Sequence, residues 1–138
     1  LKTELKKRLR NLRQFAAEMM KHAPQVSIRY RDTLRQRLEK SGIALPLTDE
    51  RLLKEIAIFA ERSDISEELC RVESHFKQMT EKLEASEPAG KTLEFLTQEV
   101  FRELNTIGSK ASDVEISRVV VESKSELEKI REQLSNIE

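Results

Sequence analysis

The chain has 138 residues, and its 25 Lys/Arg are balanced by 25 Asp/Glu, giving a formal net charge of zero. Charged residues make up 36%, aromatics 4%, and there are three glycines and three prolines. That excludes an all-β protein, which needs turn residues every ~8–12 positions, and also collagen-like and Gly/Pro low-complexity classes. No apolar run approaches the ~18 residues of a membrane span, and no signal peptide is visible. The single Cys70 excludes an internal disulfide framework and fits a reducing compartment. The chain starts at Leu1, already in helical rhythm, and reads as a piece of a longer protein.

The zero charge hides an asymmetry. Residues 1–41 carry twelve Lys/Arg against four Asp/Glu, a net of +8, and residues 42–138 carry a net of −8. A basic block of this kind points to a polyanion partner. The alternative is that it packs against the acidic part of its own chain or forms a solvated helix face.

Leu5, Leu9, Leu12, Ala16, Met19 and Ala23 follow a 4-3-4-3-4 spacing, a helical seam close to a heptad. Pro24 ends that helix, kinks it or opens the next. A second basic helix places Val26, Tyr30, Leu34 and Leu38 on one face, and Gly42 is its expected stop. Together these form a basic helical hairpin over residues 1–42. After a connector containing Pro46, Thr48 is the expected N-cap of a third helix. Leu47 and Leu52 are placed as a hydrophobic staple, and Leu52, Ile56, Phe59 and Ala60 are the core positions.

Residues 63–66 can interrupt this helix, since Asp64 and Glu67 have capping-box spacing. Beyond them Ile65, Leu69, Val72, Phe76, Met79 and Leu83 form a second 4-3-4-3-4 seam. Residues 86–90 are the next loop. A fifth helix carries Leu93, Leu96, Val100, Leu104 and Ile107 and is expected to end near Gly108. Ser112 and Glu115 have capping-box spacing for a last helix that buries Ile116, Val120, Leu127, Ile130, Leu134 and Ile137, with Ser123 as a gap in the stripe. The expected fold is all-α, with five or six helices in antiparallel, partly coiled-coil-like hairpins.

Several chemistries are absent. There is no Gly-rich phosphate loop, CxxC, HExxH or nucleophile elbow, and two histidines with one cysteine do not make a Cys/His zinc site. Cys70 reads as a buried or half-buried thiol, and His75 as a partly buried histidine beside the Phe76 seam. Glu99 and Glu103 lie one turn apart on one helix face, as do Gln98 and Arg102. Two carboxylates at this spacing can share Mg²⁺ or Mn²⁺, which activates water and steadies a phosphate; equally, they form a salt-bridged face with Arg102. The small polar run of residues 105–112, with its one lysine, can meet a phosphate or cap its own helix.

The block Gly90-Lys91-Thr92-Leu93-Glu94-Phe95-Leu96-Thr97-Gln98-Glu99, then Arg102-Glu103 and Asn105-Thr106-Ile107-Gly108-Ser109-Lys110, resembles the signature of the YicC/YloC family. Residues 126–138, ending Asn136-Ile137-Glu138, resemble that family's C-terminus, and residues 64–69 and Ser74-His75 match two further blocks. The resemblance spans essentially the whole chain but only the C-terminal half of the family's proteins. The family's N-terminal domain is absent here, and residues 48–138 are the signature-bearing helices.

The resemblance implies a bacterial, cytoplasmic, metal-assisted endoribonuclease that acts on RNA, including small regulatory RNAs. It also implies a homo-oligomer, a hexamer in the intact protein, with no membrane and no small-molecule cofactor. By match it carries over His75, Gln98, Glu99, Arg102, Glu103, Asn105, Ser109, Lys110, Glu122, Lys124 and Arg131. On this basis the expected catalytic residues are Glu99, Glu103, Glu122 and His75, the three glutamates also being the ligands of Mn²⁺ or Mg²⁺. Arg102, Lys110, Lys124 and Arg131 are the expected RNA contacts. The chain departs from the family at Phe101, where Asn is usual, at Lys91-Thr92, where an Arg-Lys pair is usual, and at Ser123, where Leu is usual. Two other readings are a helical oligomerisation scaffold and RNA clamp, with catalysis in the absent half, and a non-catalytic RNA-binding adaptor. Few aromatics argue against base stacking as an adaptor's main tool.

Overall fold

Helix α1 (Lys2–His22) buries Leu5, Leu9, Leu12, Ala16 and Met19, the seam its spacing predicts. The computed structural model describes residues 1–86 and 89–137, with only the backbone of 137. A one-turn 3₁₀ segment (Ala23–Gln25) holding Pro24 joins α1 to α2 (Val26–Lys40). Pro24 sits in the first turn, where its missing N–H is not needed. Gly42 follows α2 at φ +82°, a left-handed conformation that favours glycine, and the Ile43 N–H closes back on the Leu38 carbonyl. The chain then turns into α3 (Glu50–Arg62), α4 (Ser66–Glu84), α5 (Gly90–Ala111) and α6 (Val114–Ile137).

Six α-helices and no strand among the described residues make the all-α expectation right. Helices α1 and α5 each pack against both α4 and α6, giving an up-down four-helix bundle. Cross-links set the antiparallel register. Arg8 and Asn11 of α1 donate to Glu126 of α6, and Arg13 of α1 donates to Thr80 of α4. The α4 seam is buried throughout, with Phe76 among its largest fully enclosed side chains. Helix α2 pairs with α3 at the bundle end where α5 gives way to α6, and the Tyr30 and Phe59 rings stack there.

Several local expectations shift. The N-cap of α3 is Asp49, not Thr48; its carboxylate accepts from the Arg51 and Leu52 N–H groups. A carboxylate outcompetes a hydroxyl there because it also meets the helix dipole. The cap one residue later takes Leu47 and Leu52 out of staple register: Leu52 is buried and Leu47 exposed. Ile56, Phe59 and Ala60 are only half-buried. At α4 the N-cap is Ile65, with no side-chain cap bond; Asp64 just before it accepts from the Ser66 N–H and hydroxyl instead of pairing with Glu67, and those bonds hold the Asp64 carboxyl below its ordinary range.

Helix α5 does not stop at Gly108 but runs to Ala111, so all but the last residue of the polar run lies within the helix. A Cβ at Gly108 would sit 3.5 Å from Val120 Cγ1, an ordinary contact. Ser112 is the left-handed C-cap of α5, at φ 48°, and the N-terminal cap of α6 passes to Asp113, whose Oδ2 accepts from the Ile116 N–H. Cys70 is exposed, which corrects its expected burial. The gap at Ser123 is satisfied locally, its hydroxyl donating to the Val119 carbonyl at 2.7 Å. The expected burial of Ile137 and part of the 86–90 loop fall outside the described residues.

Asp113 also ties α2 to the bundle. Arg29 Nε and Nη2 donate to its two oxygens, both at 2.7 Å. Burial alone would raise the Asp113 carboxyl, but the Arg29 bonds and the Ile116 and Glu115 N–H groups outweigh it and depress the pKa. A depressed carboxylate contributes stability that is fully present above its ordinary pKa of 3.8 and fades as the pH falls through the lower folded value. Asp113→Ala is therefore expected to cost about 2–3 kcal/mol at neutral pH, the sum of a lost cap and a part-buried ion pair. The deficit should shrink toward acid pH, as read by urea unfolding at pH 7 and pH 3.

Candidate functional site

On the face between α4 and α5, spacing and packing gather a polar cluster beside the apolar seam. Glu68, Arg71 and His75 recur at 3-4 spacing on α4, so they share one flank of that helix. Glu99, Glu103 and Lys110 occupy the facing flank of α5. Glu68 is only 3% exposed. Lys110 Nζ donates to both its oxygens, at 3.2 and 3.1 Å, and Arg71 Nη2 lies 3.7 Å away. Arg71 Nε donates to Glu103 Oε1 at 3.0 Å, and this bond raises the Arg71 pKa above its ordinary value. Glu103 is 8% exposed.

Two buried atoms of this cluster have no hydrogen-bond partner: Glu103 Oε2 and His75 Nδ1. Buried polar atoms are nearly always satisfied, so each calls for an explanation. The register that joins Arg71 to Glu103 sets His75 at the level of Glu99, one turn further along both helices. Glu99 is half-buried and carries Arg102 at 3.6 Å, and Arg102 is 74% exposed on the outer face. His75, Glu99, Glu103, Arg102 and Lys110 therefore fall on or beside one interhelical face.

The remaining expected residues lie elsewhere. Glu122 accepts from Arg118 Nη1 at 2.9 Å, and Arg118 reaches Glu18 of α1, which puts Glu122 toward the α1–α6 face. Lys124 and Arg131 are one heptad apart on α6. Arg131 pairs with Glu128 and, with Gln98, lines an open groove of about 550 Å³ between α5 and α6. Glu99, Glu103 and Glu122 thus do not converge within one chain, and among the described residues no three His, Cys, Asp or Glu side chains gather to hold a metal. Glu68 and Arg71 were missed as cluster members, although their 3-4 spacing with His75, beside the Leu69–Val72–Phe76 seam, was legible.

The charge asymmetry is only partly absorbed. Of the twelve basic residues in 1–41, Lys6, Arg8, Arg29 and Arg31 have a carboxylate within 4.0 Å. Among the described residues the other eight have none, so self-neutralisation does not account for the block. No described helix is long and apolar enough to cross a membrane.

The family described as endoribonuclease YicC-like, C-terminal, matches residues 19–138. The chain is 44% identical over 128 residues to a probable endoribonuclease YicC of Clostridioides difficile, covering 92% of this chain and 44% of that protein. It is 38% identical over 108 residues to a probable endoribonuclease YicC of Haemophilus influenzae, covering 78% of this chain and 37% of that protein. The chain therefore spans less than half the length of these relatives. With the family match running through both α4 and α5, the chain belongs to the YicC-like endoribonuclease family, in its C-terminal domain.

Proposed function

We propose that this chain is the helical C-terminal domain of a longer endoribonuclease and that its α4–α5 face carries part of the cleavage chemistry. The observation that supports this most is the pair of buried, unpartnered atoms, His75 Nδ1 and Glu103 Oε2, within a fully charged interhelical cluster. His75 is suited to move a proton at Nδ1 as general acid or base. Glu99 and the free Oε2 of Glu103 are the hard oxygen donors that would hold Mn²⁺ or Mg²⁺. When bound, such an ion polarises a phosphate or lowers the pKa of a water. Its other ligands would come from water, RNA phosphate or a second copy of the chain, because Glu122 faces away.

Arg102, Lys124 and Arg131 are exposed or half-exposed cations placed to meet phosphates. Lys110 holds Glu68 and so keeps the cluster neutral, with part of its side chain still at the surface. The substrate in this reading is RNA, including small regulatory RNAs. The protein works in the cytoplasm as a homo-oligomer, a hexamer when intact.

A second reading has one specific observation in its favour: Arg71 and Lys110 already neutralise Glu103 and Glu68. In that case these helices are a scaffold or RNA clamp, or a binding adaptor, and other parts of the protein cut. Incubating a labelled RNA with the intact protein separates the readings. Cleavage should appear with Mn²⁺ or Mg²⁺ and stop with a chelator. RNA bound with steep salt dependence but left whole under every metal condition would favour the adaptor, and cleavage undiminished by His75→Ala would favour the scaffold or clamp, with other parts of the protein cutting.

A further inference from the structure

At the bundle end where α5 gives way to α6, a cavity of about 360 Å³ opens between α2, α3 and the Ser112–Val114 corner. Its volume is within the range of small-molecule pockets. Two of the chain's six aromatic residues, Tyr30 and Phe59, line it. Their rings are stacked face to face, 3.7 Å apart and within 4° of parallel, a rigid aromatic pair at the edge of the cavity. The Thr33 and Ser112 side chains add hydroxyls beside them. Tyr30 is fixed from outside by its hydroxyl, which donates to Glu55 at 3.1 Å.

The cavity's charge is positive. Arg29 is committed to Asp113, so those two cancel. Arg37 also lines the cavity, is exposed, and has no carboxylate within 4.0 Å among the described residues. It stands on α2, which carries five Lys/Arg against two Asp/Glu. A rigid aromatic pair, hydroxyls and one free guanidinium on a basic helix match a base attached to a phosphate better than an apolar peptide segment. Ser112 is two residues beyond Lys110, so the cavity lies at the end of the α4–α5 cluster nearest the Glu68–Lys110 pair.

We propose that this cavity takes one unstacked nucleotide of a single-stranded RNA, its base beside the Tyr30–Phe59 pair and its phosphate on Arg37. The proposal rests on the RNA reading above and adds a second grip on the strand, outside the α4–α5 cluster. It implies a preference for single-stranded over duplex RNA, because only an unpaired base can leave its stack.

The test is fluorescence anisotropy with the intact protein and a labelled single-stranded RNA of about 12 nucleotides, within the usual site sizes. Tyr30→Leu keeps the volume apolar but removes the ring, and is expected to weaken binding about tenfold. Arg37→Ala, at an exposed position that cannot unfold the helix, should weaken binding and reduce the salt slope by about 0.7, the value for one phosphate contact on a single strand. Duplex RNA should be affected far less by Tyr30→Leu. If wild type binds and both variants bind as well as wild type, the cavity proposal is overturned while the RNA reading stands. If the variants change only the oligomeric state, the cavity is a protein contact and the proposal also fails. If wild type binds no RNA at all, both fall.

Discussion

Replacing Lys110 with methionine is expected to destabilise the protein by about 3 kcal/mol, because it leaves a carboxylate buried without its main partner. Glu68 is 3% exposed, and both its oxygens take their hydrogen bonds from Lys110. Arg71 at 3.7 Å offers only a looser contact, so it cannot compensate. Removing one member of a buried pair exposes the desolvation cost of the other, whereas removing both is often nearly neutral. The double variant Glu68→Gln/Lys110→Met should therefore recover most of the loss, and the cycle is read by urea unfolding of the two singles and the double. A Lys110→Met protein as stable as wild type would mean that Glu68 is not held as the structure places it.

The second large effect is on activity. His75→Ala in the intact protein is expected to slow RNA cleavage by about 10²–10⁴-fold, the usual contribution of a positioned acid or base. The loss should fall on the chemical step, since His75 is a half-buried residue of α4 and the proposed RNA contacts, Arg102, Lys124 and Arg131, are left unchanged. Added imidazole should restore part of the rate if the side chain moves a proton. A purely structural histidine would give no such rescue. Its removal would instead appear as a lower unfolding midpoint.

Much of the bundle was legible because its seams are long and regular. The 4-3-4-3-4 spacings of α1 and α4 put every counted position from Leu5 to Met19 and from Ile65 to Leu83 in the core. The caps were less legible, because neighbouring residues compete on fine geometry. Asp49 displaced Thr48, and Asp113 displaced Ser112, since in each case a carboxylate one residue on met two N–H groups or an N–H and an arginine. Gly108 misled as a stop because α6 packs over it, and tertiary contact outweighs glycine's weak local preference.

At the candidate site, the Glu99–Glu103 face followed from helical spacing alone. That Glu103 turns inward to Arg71 did not, because a one-dimensional pattern does not say which neighbouring helix a flank meets. The separation of Glu122 from Glu99 has the same cause. They lie on different helices, and only the α5–α6 packing decides whether they approach. The grouping of Tyr30, Phe59 and Ser112 around one cavity joins three distant stretches of chain, which no local motif encodes.

In the proposed function, cleavage chemistry sits on the α4–α5 face. Its most direct test is single-turnover cleavage of a labelled RNA by the intact protein at saturating enzyme, wild type beside His75→Ala, with RNA affinity measured in parallel. The expected result is a rate at least 100-fold lower at unchanged affinity. Undiminished cleavage by a folded His75→Ala protein would contradict the claim and move the chemistry to the part of the relatives that this chain does not span.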